Sequence, residues 1–309
     1  MNLAGRRIFI AGSASKKADP KLLSYAHQLV SELTRTLVDR GALLLCGVGA
    51  NPRISDDPKS PALIFYWDII EVLVEALKRR SVLPKTPQGH LFATVLTDKT
   101  ASQIPSDKAA IWECLINSEA VRIEYVPQGW SAGAIVRVHQ THLSDILIAI
   151  GGGEGVEHLA REFRAQGKPV IPLDLCVGAS REDGGGGAQR LFGEARAHPE
   201  SFLKLSNPHS IGAVFSRMET SGGTKSTTQV VAAILDVFEE LLPPDAFYVR
   251  LLNAKTPEFE SVERYFRQVI DPVVTESGYH RGNGPDRLVL TLDEPRDIQR
   301  NSLFRRHDR

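Results

Sequence analysis

The stretch Ser144-Asp-Ile-Leu-Ile-Ala-Ile-Gly-Gly-Gly-Glu-Gly-Val156 decides the fold. Ile146–Ile150 reads as a strand buried on both faces, because no polar residue alternates within it. Four glycines around Glu154 then turn the chain, and an amphipathic pattern over Val156–Gln166 predicts a helix. A further apolar run, Pro169–Leu173, predicts the next strand. Strand, glycine turn, helix and strand together form the repeating unit of a parallel sheet.

The same alternation extends back to the N-terminus. Strands are expected at Arg7–Ala11, Ala42–Cys46, Leu91–Leu96 and Val121–Tyr125. Between them, helices are expected at about 20–40, 62–80, 106–117 and 131–143. In the first of these, Leu22, Leu23, Ala26, Val30, Leu33 and Leu37 recur at helical spacing, and Gly41 stops the run. The fold class is therefore α/β, a Rossmann-like parallel sheet with helices on both faces. Past Asp174 the character changes. A glycine-rich loop at 181–187 leads into helices, the clearest at Thr227–Leu242, and Leu241-Leu-Pro-Pro-Asp245 reads as a linker. Beyond it, strands at 246–252 and 287–292 flank a helix at 259–277, which predicts a partial β-α-β unit. The expected domains are 1–215 for nucleotide binding, 216–243 as a helical linker, and 244–309 as a partial, truncated C-terminal unit.

Composition narrows the function classes. The chain has 309 residues, with 37 Lys plus Arg against 37 Asp plus Glu. That balance gives no bulk field for nucleic acid or an anionic membrane. No stretch approaches the roughly 18 apolar residues of a membrane span, and the N-terminal apolar run is too short for a signal peptide. A cytoplasmic location is expected. Cys46, Cys114 and Cys176 are odd in number and far apart, and read as reduced, buried small hydrophobes. His139, His142 and His158 lack a convergent third ligand, so neither a metal nor a cofactor is expected.

In an open parallel sheet, ligands sit beyond the carboxyl ends of the strands. The residues there are Gly12, Ser13 and Ser15 after the first strand, and Gly47, Gly49 and Asn51 after the second. Gln128–Ser131 follow the fourth strand, Gly151, Gly152, Gly153, Glu154 and Gly155 the fifth, and Asp174 the sixth. A glycine turn ahead of a helix presents unpaired N–H groups to an anion, so phosphate could bind there without Lys or Arg. The first turn, Gly12-Ser-Ala-Ser15, lacks the GxGxxG of dinucleotide-dependent dehydrogenases, and the chain has no GxxxxGK[ST]. Gly129-Trp-Ser-Ala-Gly133 matches GxSxG, but Pro127 and Gln128 separate it from its strand and no His or Asp is placed to complete a triad.

The runs Ile8–Ser13, Arg40–Gly49, Ser144–Val156 and Gln166–Leu173 resemble the SLOG superfamily. That group includes the lonely-guy phosphoribohydrolases, the DNA-processing protein Smf, and the sirtuin- or TIR-associated SLOG sensors. In the hydrolases the signature PGGxGTxxE grips a nucleotide phosphate, and its Glu acts with an upstream Arg on the N-glycosidic bond. Here Gly152, Gly153 and Gly155 match the signature's glycines. Gly151 replaces the Pro, Val156 the Thr, and Leu159 the catalytic Glu. Arg137 lies near the expected Arg. Glu157 and Glu162 are nearby acids, but Glu157 points ~200° away from Leu159 on an ideal helix. Without a placed carboxylate, acid–base help at a glycosidic bond is lost.

The resemblance thus implies a sensor for a phosphorylated nucleotide or ADP-ribose-derived signal, regulating an attached C-terminal effector in antiphage defence. Homo-oligomerisation is implied by the resemblance alone. The alternative is a nucleotide N-glycosidase with Arg137, Glu157 and Glu162 as catalytic residues. In the tail, Ala246–Leu252, Val262–Val274 and Glu276–Tyr279 resemble the opening of TIR-like or nucleoside deoxyribosyltransferase-like domains.

Overall fold

The computed structural model describes residues 3, 6–55, 57, 60–79, 91–118, 120–129, 131–178, 186–203, 211–220 and 223–241. It also describes the backbone of three strands at 246–250, 279–281 and 287–292. The chain divides into two compact units, Met1–Leu241 and Leu242–Arg309.

In the first unit, strand β1 is Arg7–Ser13, helix α1 Pro20–Asp39, β2 Leu43–Leu45 and α2 Tyr66–Arg79. Next come β3 Phe92–Leu96, α3 Asp98–Ser102, α4 Ser106–Asn117, β4 Val121–Tyr125 and α5 Ala132–Leu143. The order continues with β5 Ile146–Gly151, α6 Glu154–Ala165, β6 Val170–Pro172, α7 Ala188–Ala197, α8 Ile211–Met218 and α9 Thr227–Leu241. The six strands form one sheet in the order β4-β3-β2-β1-β5-β6, and all five pairings are parallel.

Local chemistry explains the elements. The Asp19 carboxylate accepts the Lys21 N–H at 2.9 Å and Pro20 opens α1, a favoured start for a helix. Leu23, Ala26, Val30, Leu33 and Leu37 of α1 are buried along one stripe. Every residue of β5 is buried, as a strand covered on both faces requires. At its foot Asp145 receives both the backbone N–H and the guanidinium of Arg7, each at 3.0 Å. This ties the start of β1 to the start of β5.

Strand order fixes where a ligand can go. From β1 the chain steps outward through β2, β3 and β4, then returns to the other side of β1 as β5. Right-handed crossovers therefore place α1, α2 and α4 on one face and α5 and α6 on the other. Contacts agree: α1 packs on α2 and α2 on α4, while α5 packs on α6. The two sets diverge between β1 and β5, the switch point of a doubly wound sheet.

Several expectations shift. The helix foreseen from residue 62 begins at Tyr66, because Pro61-Ala-Leu-Ile-Phe65 is held extended by its neighbours. Ile64 bridges Ser13, Ala62 bridges Arg53, and the Leu63 carbonyl accepts the Ala14 N–H at 2.6 Å. Helix α3 was not foreseen. Helix α9 packs on α1 and buries Val230, Ile234, Val237 and Phe238. Cys46 is buried, whereas Cys114 and Cys176 are half-buried, and all three thiols are free.

In the second unit, β7 Ala246–Arg250, β8 Tyr279–Arg281 and β9 Arg287–Leu292 form a sheet in the order β7-β9-β8. The two foreseen strands are present, but β7 and β9 pair antiparallel, which corrects the β-α-β expectation. A β-α-β crossover yields parallel neighbours. The helix expected at 259–277 and the loop at 181–185 lie outside the described residues.

Candidate functional site

A cavity of about 630 Å³ lies across the carboxyl ends of β1 to β4 and the start of α6. Phe9–Ser13 of β1 line it, with β5 paired close beside them. A Cβ on Gly12 would lie 1.8 Å from the Ile150 carbonyl oxygen, so only glycine allows the two strands to meet there. Beside it, Gly151 and Gly152 adopt φ of +57° and +74°, and Gly152 donates its N–H to the Ser13 carbonyl at 2.6 Å. The turn hands the chain to α6, whose first N–H groups have no partner within the helix. Gly155, in that first turn, lines the cavity, and a Cβ there would meet nothing within 4 Å.

The opposing walls are mixed. Ile64, Phe65 and Tyr66 supply an apolar side, and Val136 and Leu159 another. Polar groups come from Thr97, Lys99 and Thr100 after β3, Gln128 after β4, and Arg137 and Gln140 on α5. The Nε of Arg137 is buried without a hydrogen-bond partner. A buried, unpartnered guanidinium nitrogen beside a cavity is a strong candidate for anion recognition. Among the described lining residues there is no Asp or Glu.

Of the residues selected from sequence, Gly12, Ser13, Gly47, Gln128, Gly129, Arg137 and Gly155 line the cavity. Gly151, Gly152, Gly153 and Glu154 shape the turn behind it without being among its lining residues. Gly49 lies beside the rim, where a Cβ would sit 3.6 Å from the Tyr66 hydroxyl. Ser15 Oγ accepts the Lys17 N–H at 3.1 Å, and Asp174 accepts the Thr220 N–H at 2.7 Å. Glu157 accepts the Gly187 N–H at 3.1 Å and pairs with Arg190 at 3.2 Å, while Glu162 lies 3.4 Å from His158. Neither acid lines the cavity. Leu159 does, at 3% exposure, in the place where the resemblance puts a catalytic Glu. Ser131, the serine of GxSxG, stands at the N-cap of α5. Trp130 lies outside the described residues.

Sequence reasoning missed Tyr66, Thr97, Lys99 and Thr100. The available signal was Thr97-x-x-Thr100 directly after a strand, a capping pattern that starts a helix. Tyr66 donates its hydroxyl to the Ala50 carbonyl, and burial pushes that hydroxyl well above its ordinary pKa. Its hydroxyl proton is thus committed, which leaves the ring and the oxygen's lone pairs for a ligand. Behind this wall, His27 Nδ1 lies 2.7 Å from Asp68 and Nε2 lies 2.8 Å from the Ala62 carbonyl. Burial opposes charge on His27. The Asp68 hydrogen bond and charge, the Ala62 carbonyl and the Glu71 charge together outweigh it, and raise the pKa. Since both partners can only accept, the imidazolium form satisfies both ring nitrogens.

A parallel sheet with a mixed-walled cavity at its switch point defines the class, a Rossmann-like α/β domain. A family model described as "ATP nucleosidase Cap17-like, N-terminal" matches residues 3–238, and the chain belongs to that family. Two curated relatives named ATP nucleosidase Cap17, from Escherichia coli strain KTE188 and Escherichia coli, are each 23% identical over 302 residues. The match covers 92% of this chain and 57% of each relative, so the chain spans little more than half their length. Among solved structures, the structural-genomics target TM1055 is 18% identical, covering 67% of this chain and 88% of that one, with a TM-score of 0.35. The molybdenum cofactor carrier protein of Chlamydomonas reinhardtii is 16% identical, covering 75% and 98%, with a TM-score of 0.38. Among the described residues no helix is long and apolar enough to cross a membrane.

Proposed function

We propose that the first unit binds a phosphorylated nucleotide or an ADP-ribose-derived ligand in the switch-point cavity and regulates an attached C-terminal effector. One observation carries this reading: the unpartnered Arg137 Nε beside a cavity whose described lining holds no carboxylate. Arg137 and the N–H groups at the start of α6 would hold phosphate, with Ser13, Gly47 and Gly49 toward the other side. Tyr66 and Phe65 offer ring surface to a base. Leu159 cannot exchange a proton, so a bound N-glycosidic bond would lack acid–base help from that position. The SLOG resemblance adds an antiphage role and self-association to the same proposal.

A second reading is supported by the relatives' printed name. If the nucleosidase chemistry of Cap17 extends to this chain, it would release free base from a nucleotide. Glu157 and Glu162 would then have to leave Arg190 and His158 to reach the cavity. Isothermal titration of the full chain with AMP, ATP and ADP-ribose tests the preferred reading. Binding that Arg137→Ala weakens by tenfold or more is expected. Absence of binding by all three would overturn it.

A further inference from the structure

We infer that β4 is a docking strand for a second copy of this chain, paired antiparallel across a two-fold axis at Ile123. The inference deepens the self-association proposed above and rests on that reading, but on no ligand. Strand β4 ends the described six-stranded sheet, with β3 on its inner side. Val126 donates its N–H to the Leu96 carbonyl at 2.8 Å, and the Ala120 carbonyl accepts the Phe92 N–H at 3.1 Å. The even-numbered residues of β4 therefore bond to β3. The N–H and carbonyl groups of Val121, Ile123 and Tyr125 point away from the sheet, where no strand among the described residues pairs with them. Such an edge is a template for another strand.

The side chains around this edge suit a copy of the same strand. Among the described residues, the exposed large apolar side chains are Ile116, Tyr125, Ile135 and Val138, with Tyr125 at 62%. Each lies on β4 or on α4 or α5, the helices that flank it in sequence. Glu124 pairs with Arg122 at 2.7 Å and lies 3.0 Å from His139 of α5, so both charges face the α5 side. Ile135 and Val138 share a helical face with His139. Val121, Ile123 and Tyr125 face the other side of the sheet. Across a two-fold axis at Ile123, that residue exchanges hydrogen bonds with its own copy, and Tyr125 lies opposite Val121. Arg122 lies opposite Glu124 in non-hydrogen-bonded pairs, where side chains approach most closely. Each Glu124 then stands between two guanidiniums, that of its own chain and that of the second copy. An axis through Arg122 or Glu124 would instead set like charges opposite each other. The charge order of β4 thus fits a second copy in one register.

Sedimentation of the full chain over a concentration series should report a dimer or an assembly of dimers. Arg122→Glu and Glu124→Arg should each weaken association roughly tenfold or more, and the two together should recover most of that loss. Ile123→Cys should form a reducible cross-link between copies, because hydrogen-bonded pairs hold their Cα atoms ~5.5 Å apart, within disulfide reach. The parent chain, with its own free thiols, is the control and should not cross-link. A monomeric parent leaves the edge to another strand, and overturns this surface and the self-association reading together. A dimer that the single charge reversals leave intact, that the double reversal fails to restore, or in which Ile123→Cys forms no cross-link overturns the surface alone.

Discussion

Arg137 and Leu159 carry opposite halves of the functional account. In the proposed binding reading, the unpartnered Arg137 Nε would gain a strong partner from a phosphate, whereas Leu159 would leave a glycosidic bond without acid–base help from that position. Gly153 supplies a sharper test. It is the N-cap of α6 with φ of −139°, a conformation open to any residue, so Gly153→Asp should fold. Its carboxylate would compete for the N–H groups at the start of α6. Nucleotide affinity should fall at least tenfold in calorimetry while the thermal midpoint holds or rises. Gly12→Ala should behave in the reverse way, because its Cβ would strike the Ile150 carbonyl. Destabilisation of roughly 1–3 kcal/mol is expected by urea titration. The strand-end positions of Gly12, Gly47 and Gly155 were legible from the alternation of strands and glycine turns, and these three line the cavity, whereas Gly151 and Gly152 serve the turn behind it. Lys99 was not legible, since an isolated lysine in a sequence gives no sign of which cavity it faces.

The pairing of α1 with α2 contains a titratable link. His27 bonds Asp68 and the Ala62 carbonyl, and so fixes the segment that carries Ile64, Phe65 and Tyr66 into the cavity wall. Its folded pKa is raised, so its contribution is fully present below the unfolded value of about 6.5. That contribution is lost as pH rises through the raised folded value. Thermal midpoints of the parent chain should therefore drop across this window relative to His27→Gln, which should stay flatter. The Arg7–Asp145 pair links β1 to β5 in the same manner, but both groups are buried. Asp145→Ala leaves a buried guanidinium without its carboxylate and should cost about 3–5 kcal/mol. Most elements followed from apolar periodicity. Residues 62–65 did not, because their backbone groups are taken by Ser13, Ala14, Pro52 and Arg53, which are distant in sequence.

For the whole molecule, the sheet order could not be read from the chain. Alternating strands and helices imply a parallel sheet. Only the pairing of β5 with β1 fixes the switch point and brings Gly12, Arg137 and Gly155 together. The boundary at Leu241 makes a further prediction. A fragment ending there should melt cooperatively and bind nucleotide. One ending at residue 215 uncovers the α1 surface that α9 buries and should lose its cooperative transition in calorimetry. A ligand at 100 times its dissociation constant should add ~2.7 kcal/mol to the stability of the longer fragment. The central claim, that the cavity holds a nucleotide without cleaving it, is tested most directly by mass spectrometry of what the protein releases. The full chain is saturated with AMP, ATP or ADP-ribose, incubated and denatured. Quantitative recovery of intact nucleotide from a bound complex is expected, and free base with a sugar phosphate would contradict it.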